Sequence, residues 1–144
     1  MLIREFVPED IKRVLQIENA SFDQSYGFDM HMKLYKMGIG FLVAVEDDHV
    51  VGYIMFWIKN EGEGHIIAIA VDEDYQRRKI GTQLLSNAII LLNKCNSKYI
   101  TLEVNGNNKG AIEFYKNFNF KVDRMVPNYY ENKDPAIVMN LEFD

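Results

Sequence analysis

The sequence has 144 residues, of which 48% are hydrophobic and 26% charged, and its formal net charge is −5 at pH 7. This length predicts a single domain over residues 1–144, because too little chain is left for a second one. The hydrophobic content offsets chain entropy, so the composition excludes disorder as the main state. The surplus of acid argues against nucleic acid as a partner, since such binding needs a basic surface, but a small anion can still bind a local basic pocket.

The cellular setting follows from what the sequence lacks. Its one cysteine, Cys95, excludes an intrachain disulfide, and without a Cys/His cluster we expect no metal. The first six residues mix acid and base rather than forming a signal pattern. No apolar run approaches the ~20 residues that span a bilayer. We therefore expect a cytoplasmic protein that does not interact with a membrane.

Hydrophobic periodicity predicts alternating strands and helices along the chain. A first helix opens at Pro8, where proline and the acids after it suit the first turn. Residues 41–45 and 49–58 are predicted to form a hairpin around an acidic turn. The other predicted elements are strands at 2–6, 65–71, 99–104, 120–125 and 136–141 and helices at 29–36, 79–93 and 109–118. Together they indicate a mixed sheet with helices on both faces.

The segment from Asp72 to Thr82 joins a predicted strand to the long third helix. Three consecutive cations, Arg77, Arg78 and Lys79, lie at the predicted start of that helix. A helix N-terminus carries partial positive charge, so cations fit there when an anion docks on the free N–H groups. The alternative is a solvated basic patch that balances the preceding acids, and charge alone leaves both interpretations open.

Several segments resemble the GCN5-related N-acetyltransferases. Gln76–Gly81 is similar to the family's Gln/Arg-x-x-Gly-x-Gly/Ala signature, and Leu102–Phe120 resembles its second conserved block. Ile69–Asp72, Asn128–Tyr130 and Asp134–Met139 resemble elements of one subgroup, the RimI-like protein N-terminal acetyltransferases. The resemblance covers nearly the whole chain.

This resemblance implies both a fold and an activity. The fold is an α/β (mixed α+β) architecture with about seven strands in a mixed, mostly antiparallel sheet, a splayed central strand pair and about four helices on both faces. The activity is direct transfer of the acetyl group of acetyl-CoA to a primary amine, above all the α-amino group of a protein or peptide N-terminus. Ribosomal or other cytosolic proteins are the expected partners, and the chain is expected to be a monomer or homodimer. The alternatives are a polyamine or amino-sugar acetyltransferase on the same fold and a non-catalytic CoA-binding module.

Three positions depart from the family pattern. Lys79 replaces the first glycine of the signature; if φ is positive there, lysine costs about 1 kcal/mol, and if the backbone is helical its ammonium can assist the phosphates. Asn119 replaces a glycine, which is a mild change because asparagine tolerates left-handed backbone. Asn105 replaces an arginine, which is expected to alter loop or substrate contacts.

Acetyl transfer to an amine needs a base for the ammonium proton and benefits from an acid for the leaving thiolate. The resemblance assigns the base to Glu103, and we expect its apolar strand neighbours to raise the pKa of this carboxyl. His65 is the alternative base, acting directly or through water. Tyr115 is the candidate acid, because a phenol stays protonated at neutral pH. Without the resemblance, the favoured interpretations are a histidine at a strand entrance for His65 and a core aromatic on an amphipathic helix for Tyr115.

The resemblance also assigns binding residues. Asn108 is expected to hydrogen-bond the pantetheine arm, although it is also a good helix N-cap. The acetyl-CoA contacts are expected from Ile69, Ala70, Val71, Gln76, Arg77, Arg78, Lys79, Ile80, Gly81, Thr82, Asn108 and Tyr115. The acceptor is expected to meet Tyr129, Tyr130 and the 22–28 loop, with Phe22 and the Ser25-Tyr26 pair. The alternative for Tyr129 and Tyr130 is an aromatic cluster that shields a sheet edge.

Overall fold

Seven strands and four helices make up the part of the chain that the computed structural model describes, residues 1–22 and 27–143. In chain order they are β1 (Leu2–Glu5), α1 (Ile11–Ser21), α2 (Gly27–Lys36), β2 (Gly40–Glu46), β3 (His49–Asn60), β4 (Glu63–Val71), α3 (Ile80–Lys94), β5 (Tyr99–Asn105), α4 (Lys109–Asn117), β6 (Lys121–Val126) and β7 (Ala136–Glu142). Single-turn 3-10 helices lie at Pro8–Asp10 and Glu73–Tyr75. Among these residues, no helix has the length and apolar character needed to cross a lipid bilayer.

The strands form one sheet in the order β1-β2-β3-β4-β5-β7-β6. β1 with β2, β2 with β3, β5 with β7 and β6 with β7 all pair antiparallel. β4 and β5 pair parallel, and their register covers only Glu63–His65 against Tyr99–Thr101, although both strands continue beyond it. This mixed sheet with a short central parallel pair confirms the predicted fold class.

The first helix begins differently from the prediction. The chain enters it through the 3-10 turn Pro8–Asp10, before α1 starts. The Asp10 side chain accepts a hydrogen bond from the backbone N–H of Val7 at 2.9 Å and is held by the Arg4 guanidinium at 2.8 and 3.0 Å. Burial alone would raise the pKa of Asp10, but these partners lower it below its usual range. The carboxylate therefore fixes the tight first turn.

The chain divides into two compact units. The first comprises Met1–Trp57 and Ile66–Leu91, and the second comprises Ile58–His65 and the chain from Leu92 onwards. The assignment of residues 1–144 to one domain stays a prediction.

A buried polar cluster joins three elements of the first unit. Glu18 of α1 and His31 of α2 are 1% and 0% exposed, and the His31 Nε2 lies 3.1 Å from the Glu18 Oε1. The Tyr53 hydroxyl of β3 donates to the same carboxylate oxygen at 2.9 Å. The cluster lies beside the aromatic core pair Phe6 and Phe41, whose rings stack with centroids 4.0 Å apart. Buried charge is stable only when partnered, so this cluster fixes α1 and α2 on β3.

Strand β5 organises the second unit through its alternating side chains. Ile100, Leu102 and Val104 are buried. The residues between them, Tyr99, Thr101, Glu103 and Asn105, are partly exposed and point to the opposite face of the sheet. One strand therefore supplies both the core of the unit and a row of polar groups.

Candidate active site

Two predicted catalytic residues of the second unit lie in direct contact. The short register of β4 with β5 pairs His65 with Thr101, which places the imidazole next to the β5 polar row. The His65 Nε2 lies 3.1 Å from the Glu103 Oε2. The two side chains are 12% and 27% exposed, so neither is fully solvated. The sequence predicts Glu103 and His65 as alternative bases, and in the structure their side chains form one pair.

The expected raised pKa of Glu103 is wrong. The hydrogen bond from His65 lowers the pKa of the Glu103 carboxyl, and this effect outweighs the opposing effect of partial burial. The positive charges of Lys59 and Arg124 lower it further. The sequence neighbours of Glu103 do not show which side chain faces it from the adjacent strand. In the structure that side chain is His65, which donates a hydrogen bond to the carboxylate.

The pair opens onto a polar cleft of roughly 330 Å³ in the second unit. Both acids and bases face it, and among the described residues that line it Val138 is the one aliphatic side chain. The lining is Lys59, Glu63, His65, Tyr99, Thr101, Glu103, Asp123, Arg124, Val138 and Asn140. A cleft with such walls suits a polar or charged ligand.

Tyr129 and Tyr130 form an aromatic turn between β6 and β7. Their rings meet edge to face with centroids 5.0 Å apart, and Tyr129 is 49% exposed. Partial burial and the neighbouring Glu103 carboxylate, which accepts a hydrogen bond from the phenol, raise the pKa of Tyr129. The structure therefore brings a predicted acceptor-binding residue to the predicted base.

Asn105 anchors this tyrosine turn. Its amide nitrogen donates to Asp134 Oδ2 at 3.0 Å, and the Asp134 carbonyl accepts the backbone N–H groups of Tyr129 and Tyr130 at 3.1 and 3.2 Å. The Asn105 hydrogen bond is also the main cause that lowers the pKa of Asp134. The departure from the family arginine thus gives Asp134 a neutral partner at a position where the family has a charged residue.

Tyr115 and Asn108 lie on and before α4. Tyr115 is 8% exposed and packs edge to face against Phe114 and Phe120, at 5.3 and 5.8 Å. Burial, followed by the nearby Tyr130, raises the pKa of Tyr115 far above that of an ordinary phenol, so the hydroxyl keeps its proton. The exposed Asn108 accepts the backbone N–H of Ala111 at 3.1 Å and is the N-cap of α4. The NH₂ of the same amide is a donor that can serve a ligand.

The predicted anion site in the first unit has an unusual backbone. φ is −69° at Gln76, +67° at Arg77 and +62° at Lys79, with Arg78 outside the left-handed region. Gln76 has extended backbone, and the positive φ at Arg77 and Lys79 is uncommon for residues other than glycine. Of the two alternatives for Lys79, the positive φ is therefore the one found.

The start of α3 follows this loop directly. The first hydrogen bond across its N-terminal turn runs from Gln83 N to Lys79 O at 3.1 Å. The N–H groups of Ile80, Gly81 and Thr82 consequently have no partner within the helix. Free amides, a helix N-terminus and three cations together fit the pyrophosphate of the predicted cofactor.

Asp72 fixes the beginning of this loop. Its backbone N–H donates to Val51 O at 2.8 Å, its Oδ1 accepts the N–H of Asp74 at 2.9 Å, and its Oδ2 meets Arg13 Nη2 at 2.8 Å. The hydrogen bond from Arg13 is the main cause that lowers the pKa of Asp72. Arg78 lies 4.9 Å above the Tyr75 ring, a cation–π distance. Asp72 thus holds the start of the loop in place.

The remaining predicted residues are distributed as follows. Ile69, Ala70 and Val71 end β4 in the first unit, and Gln76 donates to Val71 O at 3.3 Å. Phe22 is 40% exposed at the end of α1. Ser25 and Tyr26 lie outside the described residues.

Sequence reasoning missed three residues that support the candidate site residues: Glu63, Thr101 and Arg13. A two-residue period was the available signal for Glu63 and Thr101, since Glu63 precedes His65 by two positions and Thr101 precedes Glu103 by two. The contact of Arg13 joins elements distant in sequence, and no local pattern indicates it. The resemblance includes Asp134 within Asp134–Met139 but does not indicate its contact with Asn105.

Comparisons with known proteins agree with this arrangement. The family described as "Acetyltransferase (GNAT) family" matches residues 10–120. An N-alpha-acetyltransferase of Saccharolobus solfataricus is 35% identical, covering 91% of this chain and 86% of the relative. A putative ribosomal protein bS18-alanine N-acetyltransferase of Bacillus subtilis is 30% identical, covering 95% and 92%. The crystal structure of Ard1 from Thermoplasma volcanium superposes with a TM-score of 0.95 at 32% identity, covering 99% and 97%.

Valine at position 79 should destabilise the protein, because a β-branched side chain fits poorly at a φ of +62°. For Lys79→Val we expect the free energy of unfolding, measured by denaturant titration, to fall by about 1–2 kcal/mol. Lys79→Gly should cost little, since glycine adopts this backbone without strain. Arg78→Val is the matched control at an exposed neighbour outside the left-handed region. Equal losses at positions 78 and 79 would contradict a backbone origin.

Proposed function

The chain belongs to the GNAT family, with RimI-like relatives, and is an acetyl-CoA-dependent N-acetyltransferase; from this premise we propose that its acceptor is the α-amino group of a protein N-terminus. Two of its relatives are named as an N-alpha-acetyltransferase and as a ribosomal protein alanine N-acetyltransferase. Their names support the proposal through similarity over most of each chain. By the same similarity, ribosomal and other cytosolic proteins are the proposed substrates.

The observation that carries the proposal is the tyrosine turn beside Glu103. Tyr129 and Tyr130 form an aromatic surface, and the phenol of the exposed Tyr129 contacts Glu103, the proposed base. An extended peptide offers a backbone and side chains for such a surface to hold, whereas a small polyamine offers mainly charge. The surface suits a chain whose first amino group reaches the carboxylate.

The lowered pKa of Glu103 favours an α-amine over a lysine side chain. A carboxylate whose pKa is lowered is a weak base, so the amine must lose its proton easily. An α-amino group has a pKa of about 7.7–8.0, whereas lysine has about 10.4. Deprotonation at neutral pH therefore costs an α-amine roughly 3 kcal/mol less. The Glu103–His65 pair therefore suits an α-amine, which gives up its proton more readily than a lysine side chain.

The proposed roles of the residues follow from their positions. Acetyl-CoA supplies an acetyl group activated as a thioester. The loop Gln76–Thr82 binds its phosphates through backbone N–H groups and cations, and Asn108 offers its amide to the pantetheine arm. Glu103 with His65 accepts the proton of the ammonium, and Tyr115 holds a proton ready for the thiolate. No enzyme thiol is needed for this direct transfer.

Acceptor choice can be measured with the full-length protein, acetyl-CoA and a set of amines. We expect turnover of peptides with a free N-terminus and none of the same peptides with a blocked N-terminus and an internal lysine. Spermidine and glucosamine serve as small-molecule acceptors. Robust turnover of either one with no turnover of any peptide would overturn the α-amine proposal and favour a small-molecule enzyme.

Glu103→Gln should lower kcat by about 100-fold, because the amide keeps the shape of the side chain but accepts no proton. Its effect on stability should depend on pH. Because the pKa of Glu103 is lowered, its carboxylate stabilises the native state at pH values above the usual pKa of 4.5. This contribution is lost as the pH falls through the lowered pKa. The difference in Tm between wild type and variant should therefore shrink in acid. The exposed Glu113→Gln is the control; an equal fall in kcat there would remove the role of Glu103.

Tyr115→Phe should lower kcat by about 10-fold or more while the KM for acetyl-CoA changes little. The substitution removes only the hydroxyl, and the ring remains packed between Phe114 and Phe120. Steady-state kinetics with varied acetyl-CoA separates the two parameters. Tyr35→Phe is a matched control on α2. A rise in KM without a fall in kcat would make Tyr115 a binding residue rather than an acid.

A further inference from the structure

A continuous row of polar contacts runs behind His65, away from Glu103. The His65 Nδ1 lies 2.7 Å from Thr101 Oγ1, and the Thr101 hydroxyl donates to Glu63 Oε2 at 2.7 Å. The other Glu63 oxygen accepts from Asn60 Nδ2 at 3.0 Å and from the Tyr99 hydroxyl at 3.4 Å. The established family assignment does not account for these residues.

Glu63 is the fixed end of the row. Partial burial opposes its ionisation, but the hydrogen bonds from Asn60 and Thr101 outweigh that effect and lower the pKa of Glu63. Nearby Lys59 and His65 lower it further. An ionised carboxylate is an acceptor only, so every group that contacts it must donate.

The proton count then determines the state of Thr101. Its hydroxyl has one proton, and that proton is donated to Glu63. Toward His65, Thr101 can only accept, because a reversed hydroxyl would set two oxygen lone pairs against each other at 2.7 Å. The proton between Thr101 and His65 therefore belongs to the imidazole Nδ1.

With a proton held on Nδ1, Nε2 is the ring nitrogen of His65 that can gain or lose a proton. This atom is the one that lies 3.1 Å from Glu103 Oε2. When Nε2 is protonated it donates to the carboxylate. When it is not, its lone pair faces the carboxylate oxygen at 3.1 Å, which is a longer and weaker repulsion than the 2.7 Å contact between two oxygens that a reversed Thr101 hydroxyl would create. Rotation or tautomerisation of the ring would break the contact with Thr101, so the row fixes both the orientation and the proton position.

We propose that Thr101 and Glu63 are positioning residues for the acetyl transfer, and that they hold His65 with its proton on Nδ1 and its exchangeable site, Nε2, directed at Glu103. This inference rests on the proposed function for its kinetic consequence, but the tautomer itself does not depend on the acceptor. Carboxylates and hydroxyls behind a functional histidine commonly orient the ring in this way.

The charged and polar groups that face His65 come from several strands. Glu63 is on its own strand, Glu103, Thr101 and Tyr99 are on β5, Lys59 is on β3, and Asp123 and Arg124 are on β6. Asp123 and Arg124 pair with each other at 2.8 Å. Substitutions at Thr101 and Glu63 leave Glu103 and the β6 pair unchanged, so their effects report on the row alone.

The first test measures the tautomer. Nitrogen-15 NMR of protein labelled at its three histidines, assigned with single His variants, reports which ring nitrogen carries the proton. Above the pH at which the ring becomes neutral, we expect the Nδ1–H form for His65 in wild type and loss of its predominance in Thr101→Val. An Nε2–H form in wild type, or the same form in both proteins, would overturn the proposal whatever the acceptor is.

The second test measures the reaction with whichever amine the wild type acetylates. Thr101→Val and Glu63→Gln should each lower kcat by roughly 10-fold and shift the pH profile, with the KM for acetyl-CoA unchanged. Thr101→Ser keeps the hydroxyl and should restore both kcat and the profile. Equal kinetics in the serine and valine variants, with both folded by circular dichroism and equal in Tm, would assign Thr101 a packing role only.

Discussion

The three parallel residue pairs between β4 and β5 are the constraint on which the candidate site depends. They set His65 opposite Thr101, and the two-residue period of each strand then places Glu63, Thr101 and Glu103 around the imidazole. A shift of one residue would direct these side chains to the other face of the sheet and bring Ile100 and Leu102 to the polar side. The antiparallel pairing of β5 with β7, which continues over the full length of β5, holds this register.

Local backbone geometry and local charge, rather than net charge, explain how an acidic chain can offer the proposed anion site. Three basic side chains are gathered at one loop, and two residues of that loop adopt a left-handed backbone without being glycine. Such residues are strained, and strain persists where surrounding contacts impose it. At the start of this loop the Asp72 carboxylate binds Arg13 of α1 and the N–H of Asp74, which fixes the chain where it leaves β4.

The fold could be predicted almost entirely from the sequence, because periodicity and turn residues are local signals that survive in one chain. The strands and helices lie within one or two residues of their predicted bounds, apart from the start of the first helix, where Asp10 imposes a tighter turn. The resemblance to the GNAT family supplied the mostly antiparallel character of the sheet, which periodicity alone does not determine.

The electrostatics of the site were less predictable. Glu103 has apolar neighbours in sequence, yet its pKa is set by His65 from another strand. Thr101 was not predicted because threonine is common in strands. Its role comes from contacts with His65 and Glu63, which the fold brings to it. Chemistry that depends on contacts across strands is visible only once the register is known.

The replacement of arginine by Asn105 has a consequence for the ionic strength at which the protein works. The link from β5 to the tyrosine turn joins a neutral amide to the Asp134 carboxylate, so dissolved ions screen it little. The link from Arg13 to Asp72 joins two partly exposed opposite charges and weakens as salt is added. The tyrosine turn is therefore held equally well in dilute and concentrated electrolyte, whereas the loop that begins at Asp72 is held less firmly at high salt.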